Sequence, residues 1–267
     1  MKEERNLLMR IMLENDDGID APGIRALVNR LKKEHEIYVC APSSQRSGYS
    51  HGVTYFHDKT HVEERNIPGA VKAWAVDGTP ADCAYLGIYA LMDRKPDLLV
   101  SGINQGQNMS ADIVYSGTIG AACEGLIAHV PSIAISWCSY TNTDFTTAAK
   151  VAEDAVKYYM SLDRHDYVLS VNVPPLPYEQ IKGVKWAWPQ ACRDFERPLG
   201  KQMRKDGSFD LFVTEPLSPD NIEEIEGTDL YEVSRGFIAL TPVGLDPTIR
   251  FSDMKTDKFF RTCKQSA

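Results

Sequence analysis

The chain has 267 residues, of which 43% are hydrophobic and 25% charged, with a formal net charge of -8. These are globular values that point to neither a disordered chain nor a membrane protein, and no apolar run approaches the roughly 18 residues that span a bilayer. The acidic balance excludes a general nucleic-acid binder, which needs a broad basic face, so an anionic ligand has to be held by a local device. At roughly 150 residues per domain, the length fits one large domain or one domain with an extension.

The apolar run at residues 7–13 reads as a first strand, and it stops at Glu14-Asn15-Asp16-Asp17-Gly18. Adjacent carboxylates at a strand end repel each other, which a bound divalent cation would offset. Asn-Asp-Asp-Gly is equally good turn chemistry, with both acids solvated, and the stretch alone leaves both readings open. Next, Ile24, Leu27, Val28 and Leu31 fall at helical spacing behind Pro22, with Arg30, Lys32 and Lys33 at the end the helix dipole favours. Residues 37–41, closed by Pro42, complete a strand, helix, strand unit with the acidic turn at the carboxyl end of its first strand. The polar loop 43–52, which includes Ser47, Ser50 and His51, leaves the second strand on the side of the same crevice. Residues 53–76 read as a β-rich excursion with turn signals at Asn66, Pro68 and Gly69 and a strand at 72–76.

Gly78-Thr79-Pro80-Ala81-Asp82 is a helix start, with Thr79 as N-cap and Pro80 first in the helix. Cys83, Leu86, Gly87 and Ala90 are expected to form its buried stripe. Residues 97–100 read as a strand buried on both faces, running directly into a polar loop with Ser101, Asn104, Gln105 and Asn108. Tyr115-Ser116-Gly117-Thr118 then opens a helix through Ile119, Ala122, Cys123, Leu126 and Ile127. Exposed amides and hydroxyls at a helix start bind anions without any basic side chain. Capping alone explains Ser116 or Thr118 taken singly, but small residues and two amide side chains in one loop point toward a ligand.

A strand at 132–136, a helix at about 145–162 and a strand at 167–173 add a further unit. Beyond Pro174, Pro175 and Pro177, residues 183–213 read as hairpins and loops, 216–229 as a polar acidic stretch, and 236–242 as a last strand returning to the core. The fold class is α/β: a Rossmann-like three-layer sandwich with a mostly parallel sheet and a β-rich C-terminal hairpin extension. Residues 1–175 form the expected metal- and phosphate-binding core, and residues 176–267 the hairpin and oligomerisation region that rejoins it. Cys40, Cys83, Cys123, Cys138, Cys192 and Cys263 are scattered without a Cys-x-x-Cys pair. That is the usage of reduced core thiols in a cytoplasmic protein, and the N-terminal residues do not lead into a signal peptide.

Five ordered motifs together resemble the SurE family of stationary-phase survival proteins. They are Asn15-Asp16-Asp17-Gly18 with Ala21-Pro22-Gly23; Ala41-Pro42 leading to Arg46-Ser47-Gly48; Gly78 to Cys83; Ser101-Gly102-Ile103-Asn104 with Gly106 and Asn108; and Tyr115 to Thr118 with Ala121, Ala122, Glu124 and Gly125. The likeness covers most of residues 8–136. It implies a SurE-like fold and a 5'/3'-nucleotidase that hydrolyses nucleoside monophosphates, with short polyphosphate as a further substrate. It implies one divalent metal ion per subunit, manganese or magnesium, held by Asp16, Asp17, Ser47 and Asn104, the two aspartates being the catalytic residues. It also implies that Asn108, Ser116, Gly117 and Thr118 surround the substrate phosphate, and that the chain forms a homodimer or homotetramer, with neither a nucleic-acid polymer nor a membrane as partner. The all-oxygen ligand set independently suits a hard cation and argues against zinc or copper.

Two departures are Ser43, where many relatives have Asp after the Ala-Pro pair, and His51, where they have Asn after Ser50. Ser50 and His51 are therefore candidate substrate-side residues bearing on substrate preference and pH optimum. His57 and His61, four apart near His51, offer an alternative site but read as surface or satisfied loop histidines, since nothing supports a helix there. Ser116 reads as a phosphate donor rather than a covalent nucleophile, because no motif supplies it with a base. A signalling receiver domain shares the acidic pair but needs a later phosphoacceptor Asp and a Lys at strand ends, where this chain has Ser101 to Asn104 and Ser136 to Cys138. A nucleotide- and magnesium-binding regulator without turnover is the remaining competitor.

Overall fold

A computed structural model describes residues 8–56, 59–190, 199–214 and 225–246. The first unit is β1 (Arg10–Glu14), α1 (Pro22–Leu31) and β2 (Glu36–Pro42), followed by β3 (Val62–Arg65) and β4 (Lys72–Val76). Then come α2 (Pro80–Leu86), β5 (Leu98–Gln105), the short α3 (Asp112–Tyr115), α4 (Gly117–Ile127), β6 (Ser132–Trp137), α5 (Thr146–Met160) and β7 (Val168–Val173). The chain continues through β8 (Val184–Trp186), the hairpin β9 (Leu199–Met203) and β10 (Phe209–Val213), α6 (Asp229–Ser234) and β11 (Ile238–Val243).

Nine strands form one sheet in the order β3-β4-β2-β1-β5-β6-β7-β11-β8. Strands β4 through β7 are parallel; β3 runs antiparallel to β4, and β11 antiparallel to β7. Residues on both faces of β1, β5, β6 and β7 are buried, as expected for parallel strands covered on two sides. One face packs on α1 and α5 around Leu13, Ile24, Leu27, Val100, Ile135 and Val156. The other packs on α2 and α4 around Met12, Cys40, Cys83, Ala122 and Leu99. The architecture is thus the expected three-layer α/β sandwich. The last strand does return to the core, pairing Ala239 with Asn172 and Val243 with Val168, and β8 joins the sheet beside it.

Several details differ from the sequence reading. The helix opening at Thr79 forms the full capping box, with Thr79 Oγ accepting from the Asp82 amide and Asp82 accepting from the Thr79 amide. Its buried stripe is displaced, however: Cys83, Ala84, Gly87 and Ile88 are buried, while Ala90 is exposed. The cause is a π-helical turn at Gly87–Leu91, which adds a residue per turn and rotates Ala90 away from the core. Strand β5 runs five residues beyond Val100, so Ser101, Asn104 and Gln105 belong to a strand rather than a loop. Helix α6 begins at the last residue of the stretch read as acidic and polar and fills the residues before the last strand, for which no element was expected. His57, the tail after Pro247, Cys192, Cys263 and parts of the stretches 183–213 and 216–229 lie outside the described residues. Cys40, Cys83 and Cys123 are free and buried, and Cys138 is free and half-buried.

Candidate metal and phosphate site

Strands β1 and β5 lie side by side where the strand order reverses, the position at which an open α/β sheet leaves a crevice beyond its carboxyl ends. Their register pairs Glu14, the last residue of β1, with Ser101, so β5 runs on past the end of β1 to Gln105. The acidic turn therefore faces the last residues of β5. Asn15, fully buried, shapes that turn: its Oδ1 accepts from the Asp17 amide at 2.9 Å, and its Nδ2 donates to the Ile103 carbonyl at 3.2 Å. The turn chemistry read from the sequence is thus present, as an Asx-type bond from Asn15, but its acids are not both solvated, because Asp16 is only 3% exposed.

The two carboxylates are held differently. Asp16 Oδ1 accepts from Thr118 Oγ1 at 2.7 Å. Burial pushes the Asp16 carboxyl up to about 7, against the Thr118 hydrogen bond and with a smaller push from the Asp17 charge. Asp17 Oδ2 accepts from the Gln105 amide at 2.9 Å, and burial raises this group too. Asn104 Nδ2 donates to the Gly106 carbonyl at 2.9 Å, which leaves its side-chain oxygen for another partner. Ser47 is exposed on loop 43–52 and accepts from Gln45 Nε2 at 3.1 Å. That loop is tied to the turn by the Arg46 amide donating to the Asp16 carbonyl at 2.7 Å.

These residues fit a hard divalent cation. Two carboxylates disfavoured as anions, an amide oxygen and a hydroxyl are all oxygen donors, and a positive charge there would lower both raised carboxyl groups. Among the described residues, no cluster of three His, Cys, Asp or Glu converges anywhere, so an ion here rests on two acids and neutral oxygens. Glu14 stands behind the set: it is fully buried, accepts from Ser101 Oγ at 2.7 Å, and burial pushes its carboxyl well above the usual carboxylate value.

Opposite the acids stands the start of α4. Ser116 caps it by accepting from the Ile119 amide at 3.1 Å, leaving the amides of Gly117 and Thr118 at the positive end of an 11-residue helix. Gly117 has to be glycine, since a Cβ there would come within 2.9 Å of Asp16 Cβ. The Thr118 hydroxyl is committed to Asp16, and it accepts from Asn108 Nδ2 at 3.3 Å. Asn108 Nδ2 also donates to Ser136 Oγ at 2.8 Å, so both side chains act first as braces. Asp16, Ser47, Asn104, Asn108 and Ser116 line one cleft of about 140 Å³. Ser50 and His51 instead latch the loop: the Ser50 hydroxyl donates to the Val114 carbonyl at 2.6 Å, and His51 Nε2 meets Glu124 Oε1 at 2.7 Å. His61 is exposed and stands just before β3.

Sequence reasoning missed the supports. Asn172 on β7 exchanges two bonds with the Asn108 backbone, at 2.9 and 3.1 Å. Its signal was an amide side chain, with Ser170 the second polar residue, in a strand otherwise made of Val168, Leu169, Val171 and Val173. Asp229, fully buried, accepts from the Ser110 and Gln190 amides at 2.8 and 3.1 Å, and the acidic composition around it concealed it. A larger groove of about 510 Å³ between α5 and the β8–β11 edge is lined by apolar residues such as Val151, Trp186 and Leu240 and lacks this chemistry.

The chain is similar to known proteins of one family. The family described as Survival protein SurE matches residues 11–196. A protein of Pelotomaculum thermopropionicum named 5'-nucleotidase SurE is 37% identical over 257 residues, covering 96% of this chain and 97% of its own length. One of the same name from Trichormus variabilis is 38% identical over 245 residues, covering 88% of this chain and 92% of its own. The crystal structure of the SurE protein from Aquifex aeolicus superposes with a TM-score of 0.78 at 37% identity, covering 94% of this chain and 99% of its own.

Proposed function

Because the chain belongs to the SurE family, we propose that it is a metal-dependent phosphomonoesterase that hydrolyses nucleoside 5'-monophosphates, and 3'-monophosphates beside them, to nucleoside and phosphate. The observation that carries this reading is the buried Asp16 packed against the amino end of α4, the two bordering one cleft. The name 5'-nucleotidase borne by the relatives supports it.

A phosphate monoester resists water because the nucleophile approaches a dianion, so catalysis needs charge neutralisation and an oriented phosphate. One magnesium or manganese ion per subunit would be held by Asp16, Asp17, Ser47 and Asn104, and when bound it supplies Lewis-acid polarisation of a phosphoryl oxygen. The chain supplies the rest. The Gly117 and Thr118 amides and the Ser116 hydroxyl donate to the phosphate oxygens, and the dipole of α4 favours the negative charge. Thr118 fixes the rotamer of Asp16, and Asn108 fixes Thr118. Ser116 acts as donor rather than nucleophile: among the described residues no acid or imidazole is hydrogen-bonded to its hydroxyl, whose oxygen already caps α4. Trapping of a phosphoenzyme at Ser116 would refute that role.

The working unit is a homodimer or homotetramer, and its compartment is the cytoplasm. The β9–β10 hairpin supports the first point, since Leu199, Met203, Phe209, Leu211 and Phe212 stand exposed on a ribbon that, among the described residues, pairs only with itself. The test is phosphate release from the common nucleoside 5'- and 3'-monophosphates and from tripolyphosphate, with magnesium, with manganese and after EDTA. Metal-dependent release from nucleotides is the expected result. Nucleotide binding without release under any of these conditions would instead favour the non-catalytic regulator.

A further inference from the structure

The segment that joins Asn108 to Ser116 passes through one strained position. Ser110 has a φ of +56°, in the left-handed region that a serine rarely adopts, and it is buried. It lies inside the turn in which the Asp112 amide donates to the Met109 carbonyl at 3.0 Å, so it sets the direction of α3 and of the Ser116 cap that follows. A residue in such a conformation persists only where its surroundings over-determine it.

Those surroundings come from the C-terminal segment. Asp229, the first residue of α6, is fully buried and uses both oxygens: Oδ2 accepts from the Ser110 amide at 2.8 Å, and Oδ1 accepts from the Gln190 and Leu230 amides at 3.1 and 2.8 Å. The Ser110 hydroxyl donates to the Gln190 carbonyl at 2.6 Å. Gln190 Oε1 in turn accepts from the Ile225 amide at 3.1 Å and from Thr228 Oγ1 at 3.0 Å. Beside Ser110, the buried Met109 packs with Ala187, Val233 and Ala239. The dipole of a helix favours an acid in its first turn, and that alone explains a carboxylate near the start of α6. It does not explain a fully buried one that gives an oxygen to a residue 119 positions away.

We infer that Asp229 is a positioning residue for the phosphate site: it holds Ser110 in its left-handed conformation and thereby places Asn108 and Ser116 against the phosphate. The inference rests on the proposed binding of phosphate at the start of α4. Asp229 itself does not line the cleft, so it acts through the segment it holds. Asp16 and Asp17 lie in the turn after β1, outside that segment, so loss of Asp229 separates phosphate binding from metal binding. Asp229→Asn is the sharpest perturbation. It keeps the size of the side chain but turns one acceptor into a donor, and in either orientation of the amide an N–H group is left facing another.

The test is calorimetric binding of magnesium, and of inorganic phosphate at saturating magnesium, to the full chain and to Asp229→Asn, Ser110→Gly and Ser110→Val. Asp229→Asn is expected to weaken phosphate about tenfold or more while magnesium stays within about twofold, because a displaced donor loses its ligand and the two aspartates are not displaced. Ser110→Val should lose phosphate by a similar factor, whereas Ser110→Gly, which enters the left-handed region freely, should stay within about threefold. If Asp229→Asn does not fold, the two Ser110 variants decide. Unchanged phosphate affinity in Asp229→Asn, a parallel loss of magnesium, or equal behaviour of Ser110→Val and Ser110→Gly would overturn the inference. Assays of phosphate release from AMP separate it from the proposed activity. Asp229-dependent phosphate binding without release upholds the positioning role and defeats the hydrolase, whereas release with the same KM in native protein and Asp229→Asn does the reverse.

Discussion

Asp16 sits 3% exposed, one residue from a second carboxylate, and its carboxyl is pushed up to about 7 by burial. An ordinary aspartate in the unfolded chain ionises near 3.9, so between those values the folded protein binds the extra proton. The stability this group contributes is complete below the ordinary value and is lost as pH rises through about 7. Thermal melts of the metal-free protein should therefore show falling stability from about pH 4 to pH 7, by on the order of a few kcal/mol. In Asp16→Asn the slope should be shallower, though not flat, because buried Glu14 is shifted in the same direction. An unchanged slope would contradict the assignment. A divalent cation, which needs the ionised carboxylate, should stabilise more at pH 8 than at pH 5. Thr118 is the other residue on which Asp16 depends. Thr118→Val removes the donor to Asp16 Oδ1 and should cost about 1 kcal/mol of stability but on the order of ten- to a hundredfold in turnover, with Thr118→Ser recovering most of both. Steady-state kinetics beside melting curves check the split.

At the scale of elements, the site depends on loops braced by strands that do not touch the chemistry. Asn172 on β7 pairs with both the amide and the carbonyl of Asn108. Asn172→Leu leaves those groups unpaired in a buried setting, which should lower stability by about 1–3 kcal/mol and raise KM through displacement of Asn108. A normal KM at reduced stability would make Asn172 purely structural. Much at this scale was legible in the sequence because period and punctuation agreed: Pro22 before Ile24, Leu27 and Leu31, and Thr79-Pro80 with Asp82, each specify a helix start by local chemistry. What was not legible arose from tertiary context. Nothing local in Gly87–Leu91 announces a π turn, and the polar Ser101 to Gln105 read as loop because their strand pairing depends on β6. Asp16 and Ser116 were singled out by local chemistry, adjacent acids at a strand end and a hydroxyl at a helix start, and the structure lines one cleft with them and Asn104. Asn172 and Asp229 act from more than 60 residues away along the chain, a distance at which sequence pattern carries no contact information.

Across the whole molecule, the sheet brings the acidic turn after β1 and the helix start after β5 to one edge, and the C-terminal segment closes the sheet through β11 and β8. The remaining surface feature of consequence is the β9–β10 hairpin, which pairs with no other strand among the described residues. If it is buried between subunits, light scattering should give a dimer or tetramer for the native chain, and Phe209→Asp with Leu211→Glu should shift it toward monomer. A native monomer would count against that assembly. The central claim is that the Asp16 carboxylate and the start of α4 together make a metal-dependent phosphatase. It is tested most directly by phosphate release from a nucleoside 5'-monophosphate, measured for the native protein with manganese, after EDTA, and for Asp16→Asn with its fold verified by circular dichroism. The account predicts release that requires the metal and nearly vanishes in a folded Asp16→Asn. Near-normal release by that variant, or release that survives removal of the metal, would contradict it.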